Sequence, residues 1–106
     1  MTIDPAADRQ EHRRRYEALV ASIGLAIHGA DPIRLLETGA PRDEYDSEIG
    51  TIVPRVIKAA SSLEVQSMVH EEFARWFGAD ISGPVGAYEV PAQAIWRAVL
   101  EFRHVG

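Results

Sequence analysis

The chain has 106 residues and no cysteine. This absence excludes disulfides, thiolate metal sites and cysteine nucleophiles together, and it suits a reducing cytoplasm. Long apolar runs are missing as well. Charges interrupt every hydrophobic segment before the ~20 residues that a membrane-spanning helix needs, and the first residues, MTIDPAADRQEHRRRY, contain no signal-peptide apolar stretch. A soluble cytoplasmic protein without membrane association is therefore expected. Positive charge is in deficit, with 11 Lys and Arg against 16 Asp and Glu and a formal charge of -5. That sign argues against nucleic acid, whose binding rests on neutralising phosphates, and favours a partner with a basic surface. Internal repeats and low-complexity tracts are absent too, so residues 1–106 read as one domain. A domain of this size buries roughly 65% of the surface of its unfolded chain.

What charge there is falls unevenly. Arg9, Arg13, Arg14 and Arg15 gather near the start, whereas Glu37, Asp43, Glu44, Asp46 and Glu48 gather in the middle. Asp4-Pro5 reads as an N-cap followed by a first-turn proline, and Tyr16, Leu19, Val20, Ile23 and Ile27 recur at helical spacing. These signals predict a helix from about Pro5 to His28, stopped by Gly29. Its first half is polar on every side, so residues 1–12 are expected to fray or project, with Arg13 to Arg15 on a solvated face. Asp31-Pro32 then predicts a short second helix to Glu37, ended by Gly39 and Pro41.

Asp46 is the expected N-cap of a third helix, with an apolar stripe of Ile49, Ile52, Val53, Val56, Ile57 and Ala60. Pro54 implies a kink or restart there, and the β-branched residues around it suit a strand as the alternative. Ser61-Ser62-Leu63-Glu64 is a capping box, opening a helix with Val65, Met68, Val69, Phe73, Trp76 and Phe77 along one face and Gly78 as its stop. Ala79 to Val90 reads as an exposed loop. Pro91 starts the last helix, whose apolar side is Ile95, Trp96, Val99, Leu100 and Phe102. The expected fold is all-α, a compact bundle of four longer helices and one short one, with Trp76, Trp96, Phe73 and Phe77 dominating the core.

The stretch DPIRLLETGAPRDEYDSEIG, followed by VHEEFARWFG, resembles the small bacterial proteins related to Bacillus YugE, a domain family of unknown function. The likeness rests on Asp31-Pro32-Ile33, the Gly39-Ala40-Pro41 break, the Asp43-Glu44-Tyr45-Asp46 cluster and the aromatic helix ending at Gly78. It covers about the middle half of the chain. Family members often carry Trp before the Asp-Pro pair, where this chain has Ala30. The resemblance implies a small helical fold and supplies no catalytic residues.

Chemistry is weakly signalled. Asp43, Glu44, Asp46 and Glu48 offer hard oxygen ligands, but an EF-hand started at Asp43 places Tyr45 at its third position, and one started at Asp46 places Gly50 at its fifth. His70-Glu71-Glu72 resembles the opening of a zinc-protease motif, yet Ala74 stands where the second histidine is required. His28 and His104 fall near helix C-termini, where the dipole favours a cation. The serines lack a nucleophile elbow, and Gly83-Pro84-Val85-Gly86 lacks the Lys of a phosphate loop. No catalytic residue, metal or cofactor is therefore expected. The favoured role is a non-enzymatic protein-interaction domain, immunity- or antitoxin-like. Asp43, Glu44, Tyr45 and Glu48 would form its contact with a basic partner, and the protein itself would be a monomer or homodimer. The rival is a small metal-dependent hydrolase or other enzyme using Asp43, Asp46 and His70.

Overall fold

Helical periodicity prevails throughout the computed structural model, which describes residues 5–32, 34, 39 and 45–104, and no strand occurs among them. The helices are α1 (Pro5–Ala30), α2 (Asp46–Val56), α3 (Ser62–Phe77), the single-turn α4 (Ala79–Ser82), a 3-10 turn (Val85–Tyr88) and α5 (Glu89–Arg103). α1 packs against α5 and α2, and α3 packs against α2 and α5. The single-turn α4 is the short helix among the described residues.

α1 runs past its expected stop at Gly29. Asp31 ends it instead, in left-handed backbone at φ 43, with its amide donating to the Ile27 carbonyl at 2.8 Å. Aspartate tolerates this conformation better than most residues, and its carboxylate accepts a 2.6 Å hydrogen bond from the Tyr45 hydroxyl. Pro32 lies in a turn and Arg34 is also left-handed, at φ 61. Neither Pro32 nor Arg34 is therefore helical; Ile33 and residues 35–37, the rest of the helix expected up to Glu37, lie outside the described residues. The N-terminal half of α1 projects, as its polarity implied: residues 5–14 are all exposed. With 26 residues, α1 is about 39 Å long at 1.5 Å per residue. The molecule accordingly measures 55 × 29 × 19 Å with a radius of gyration of 15.1 Å, against about 13 Å for a spherical domain of this length.

Asp46 does not cap α2. Tyr45 occupies the cap position, and Asp46 sits in the first turn beside the positive end of the dipole. Pro54 lacks the amide that would serve the Gly50 carbonyl, but the helix continues to Val56 and then stops, so the proline closes the element rather than splitting it. Ile49, Ile52, Val53 and Val56 are buried as their spacing predicts. The C-terminal end of α2 is tied to α5 by Arg103, whose Nε and Nη2 both donate to the Ile57 carbonyl while its guanidinium covers the Trp96 ring at 5.6 Å.

α3 opens on Ser61, whose Oγ accepts from the Glu64 amide at 3.1 Å, and ends at Gly78 with φ 86. Val65, Val69 and Phe73 form its buried face. Trp76 does not belong to it. At 45% exposure it lies outside the core, its indole N–H donating to Thr51 Oγ1 at 3.2 Å. Trp96 is only partly buried. The expected exposed loop from Ala79 to Val90 is also corrected. Tyr88 is fully buried there and donates to the Ser82 carbonyl at 2.7 Å, while Gln66 donates to the Val85 carbonyl at 2.9 Å. The largest core side chains are therefore Tyr45, Tyr88 and Phe73. Phe73 lies between the two tyrosines at ring separations of 5.7 and 5.5 Å.

Stability should rank accordingly. Phe73→Ala should cost about 3 to 5 kcal/mol by opening a cavity, Ser61→Ala about 1 kcal/mol by losing the cap, and Trp76→Ala about 1 kcal/mol for a half-exposed ring with one hydrogen bond. Urea denaturation of the three variants checks this order; a Trp76→Ala loss equal to that of Phe73→Ala would return the indole to the core.

Candidate functional site

Two of the four expected contact residues, Tyr45 and Glu48, are buried. Tyr45 is fully buried against Phe73 and His28, and Glu48 is 4% exposed within α2, so neither can meet a partner in this conformation. Tyr45 is a core residue because its ring packs against Phe73 of α3 and His28 of α1. Glu48 is drawn inward one turn below Ile52. Asp43 and Glu44 lie outside the described residues. Asp46 alone of the described acids in this stretch is exposed at the head of α2. Among the described residues, no three His, Asp or Glu side chains gather where they could hold a metal ion. His70 is occupied structurally: its Nε2 lies 2.9 Å from the Gly83 carbonyl and its ring packs against Tyr88 at 5.3 Å.

Two polar clusters hold the frame. Glu72 is 1% exposed on α3, and its Oε1 accepts from Arg55 Nη1 at 3.0 Å, with Arg75 at 3.9 Å. Arg55 also donates to Glu71 at 2.8 Å. The hydrogen bond to Glu71, aided by Glu72 and opposed by partial burial, holds the Arg55 guanidinium still more firmly in its charged form. This network bridges α2 and α3. The second cluster is Tyr88, whose hydroxyl burial pushes to a pKa of about 12 because the phenolate would lose its hydration.

The binding geometry lies elsewhere, in an apolar groove of about 560 Å³ between α1 and α2. Tyr16, Val20, Leu25 and His28 of α1 face Ile49 and Val53 of α2, and Asp46 stands at one end. Gly24 lies buried in the floor, where a Cβ would meet Ile49 Cδ1 at 3.8 Å, an ordinary van der Waals distance. Leu25 is 74% exposed. His28 Nε2 is buried and has no hydrogen-bond partner among the described residues. Sequence reasoning placed Tyr16 and Val20 on one core stripe and missed the groove. The signal was Leu25, a large apolar residue lying off the Leu19, Ile23 and Ile27 stripe by about 180° of helical rotation.

Comparison with known proteins leaves the class at the level the fold defines, a small all-α helical domain. No family model, no curated protein and no solved structure matches the chain.

Arg55→Met should cost about 2 to 3 kcal/mol, because it strands a buried carboxylate, whereas Arg75→Met should cost under about 0.5 kcal/mol at its exposed position; thermal unfolding of both variants checks the contrast. For Tyr88 the folded-state pKa lies above the unfolded value of about 10. Stability is therefore fully present below pH 10 and lost as pH rises toward 12, on the order of 2 to 3 kcal/mol. Tyr88→Phe should flatten that alkaline loss; an unchanged slope between pH 10 and 12 would exclude Tyr88 as its source.

Proposed function

We propose that this chain is a non-enzymatic protein-interaction domain whose working surface is the α1/α2 groove. Its partner presents a helix with an apolar stripe flanked by Arg or Lys. The observation carrying this reading is the pairing of an apolar floor, exposed at Leu25 and Tyr16, with a carboxylate at its end, Asp46. Apolar contact supplies affinity in helix-in-groove recognition, and a rim charge sets orientation and association rate. A net charge of -5 favours a basic partner over an acidic one at long range. An immunity- or antitoxin-like role is the form this reading takes when the partner is a basic toxin. Asp43 and Glu44, next to Asp46 in sequence, would add to the same attraction.

Photo-crosslinking tests the surface. A benzophenone side chain at position 25 should capture a basic helical segment identifiable by mass spectrometry. The same group at position 63, where Leu63 is 73% exposed on the start of α3, should not, and Asp46→Lys should lower the yield from position 25 about tenfold. Equal yields from the two positions would refute the groove as the working surface.

A further inference from the structure

We propose that the overhanging start of α1 is an anion site, and that it takes a small molecule carrying a diphosphate group. The site is separate from the groove and shares only Tyr16 with it among the described residues. Ile27, Ile23, Tyr16 and Arg9 follow one another at steps of four and seven residues, so they lie on one face of α1. Ile23 and Ile27 are fully buried on that face, whereas residues 5–14 are all exposed. The face that builds the core therefore continues past the end of the bundle, and there its residues change from apolar to basic.

A hollow of about 760 Å³ lies along this overhang, lined by Asp8, Arg9, His12, Arg13, Arg15 and Tyr16. Its inner wall is fixed. Arg15 donates to the Phe102 carbonyl and covers the Phe102 ring, while the rings of His12 and Tyr16 pack on the same ring at 5.9 and 6.2 Å. Arg9 and Arg13 are not engaged in this way. Among the described residues neither has an ion pair, whereas Arg14, turned about 100° or more away from both, pairs with Glu11 at 3.9 Å. Two like charges one turn apart destabilise a helix, and a bound anion removes that repulsion. One acid of the described lining, Asp8, stands against three arginines.

Spacing and charge select the ligand. The Cβ atoms of residues one turn apart, such as Arg9 and Arg13, are separated by about 6 Å, and each guanidinium forks onto one oxyanion. Two linked phosphoryl groups occupy both forks, whereas a lone carboxylate engages only one. The Tyr16 hydroxyl and the His12 ring supply further donors along the wall. A nucleic acid strand is disfavoured because the chain carries -5 overall and repels a long polyanion. A lipid surface is disfavoured because residues 5–14 hold no large apolar side chain to insert.

Titration of the full chain with inorganic pyrophosphate at constant ionic strength tests this, followed by phosphorus NMR and by amide hydrogen exchange. The wild type should give a saturable resonance shift. Exchange in residues 6–14 should slow at the same time, because a ligand bridging two turns of an unpacked helix stabilises it. Arg9→Gln and Arg13→Gln should each weaken binding about tenfold and together abolish it, with circular dichroism showing the fold unchanged. Arg14→Gln, on another face, should stay within about twofold of wild type. Absence of a saturable shift in the wild type overturns the site, as does an Arg14→Gln loss equal to that of Arg13→Gln. Sulfate binding as tightly as pyrophosphate would overturn the diphosphate class. A single-stranded oligonucleotide binding more tightly than pyrophosphate would overturn the small molecule in favour of nucleic acid.

Discussion

Phe73, between Tyr45 and Tyr88, is the contact through which the bundle is closed. Each tyrosine is anchored at its polar end, Tyr45 to the carboxylate of Asp31 and Tyr88 to the carbonyl of Ser82. Their rings bury large apolar area while their hydroxyls remain satisfied, which is the condition for a buried tyrosine to stabilise a core. The Asp31 bond matters beyond its own energy. It fixes the end of α1 to the start of α2, and so sets the spacing of the groove between them. Tyr88 performs the same task on the other side, folding the segment after α3 back under α5.

The polar links follow the same logic of ends tied to neighbours. Arg103 serves the carbonyl at the end of α2, where Pro54 and the helix terminus have left acceptors unused. Arg55 neutralises Glu72, whose burial between α2 and α3 would otherwise carry a heavy desolvation cost. Arg15 donates to the Phe102 carbonyl at 2.7 Å and lies over its ring, docking the middle of α1 on the last turn of α5. Arginine suits all three places because its fork reaches several acceptors at once while its stem packs on apolar surface.

Much of the fold was legible in the sequence. Helical periodicity placed α1, α2, α3 and α5, and local caps placed the start and end of α3, since both signals act within one turn of chain. The errors cluster where a distant residue decided the outcome. Asp31 and not Gly29 ends α1 because Tyr45 holds its carboxylate. Tyr88 leaves an expected loop for the core because α3 and α5 leave room for it. Trp76, on the edge of its stripe, yields its place to Tyr45, which arrives from another element.

The site was less legible than the fold. An acidic cluster is conspicuous as a string, yet Glu48 turns inward and Tyr45 is core, because helix rotation assigns neighbouring positions to opposite environments. The sequence by itself determined an all-α chain, the positions of the long helices, a basic start and an acidic middle, because propensity, periodicity and charge are local properties. Only the tertiary structure decided which aromatics are buried, which acid is exposed, and that α1 and α2 leave an apolar groove ending at Asp46. Those outcomes depend on how helices far apart in sequence share one volume, and no local pattern carries that information.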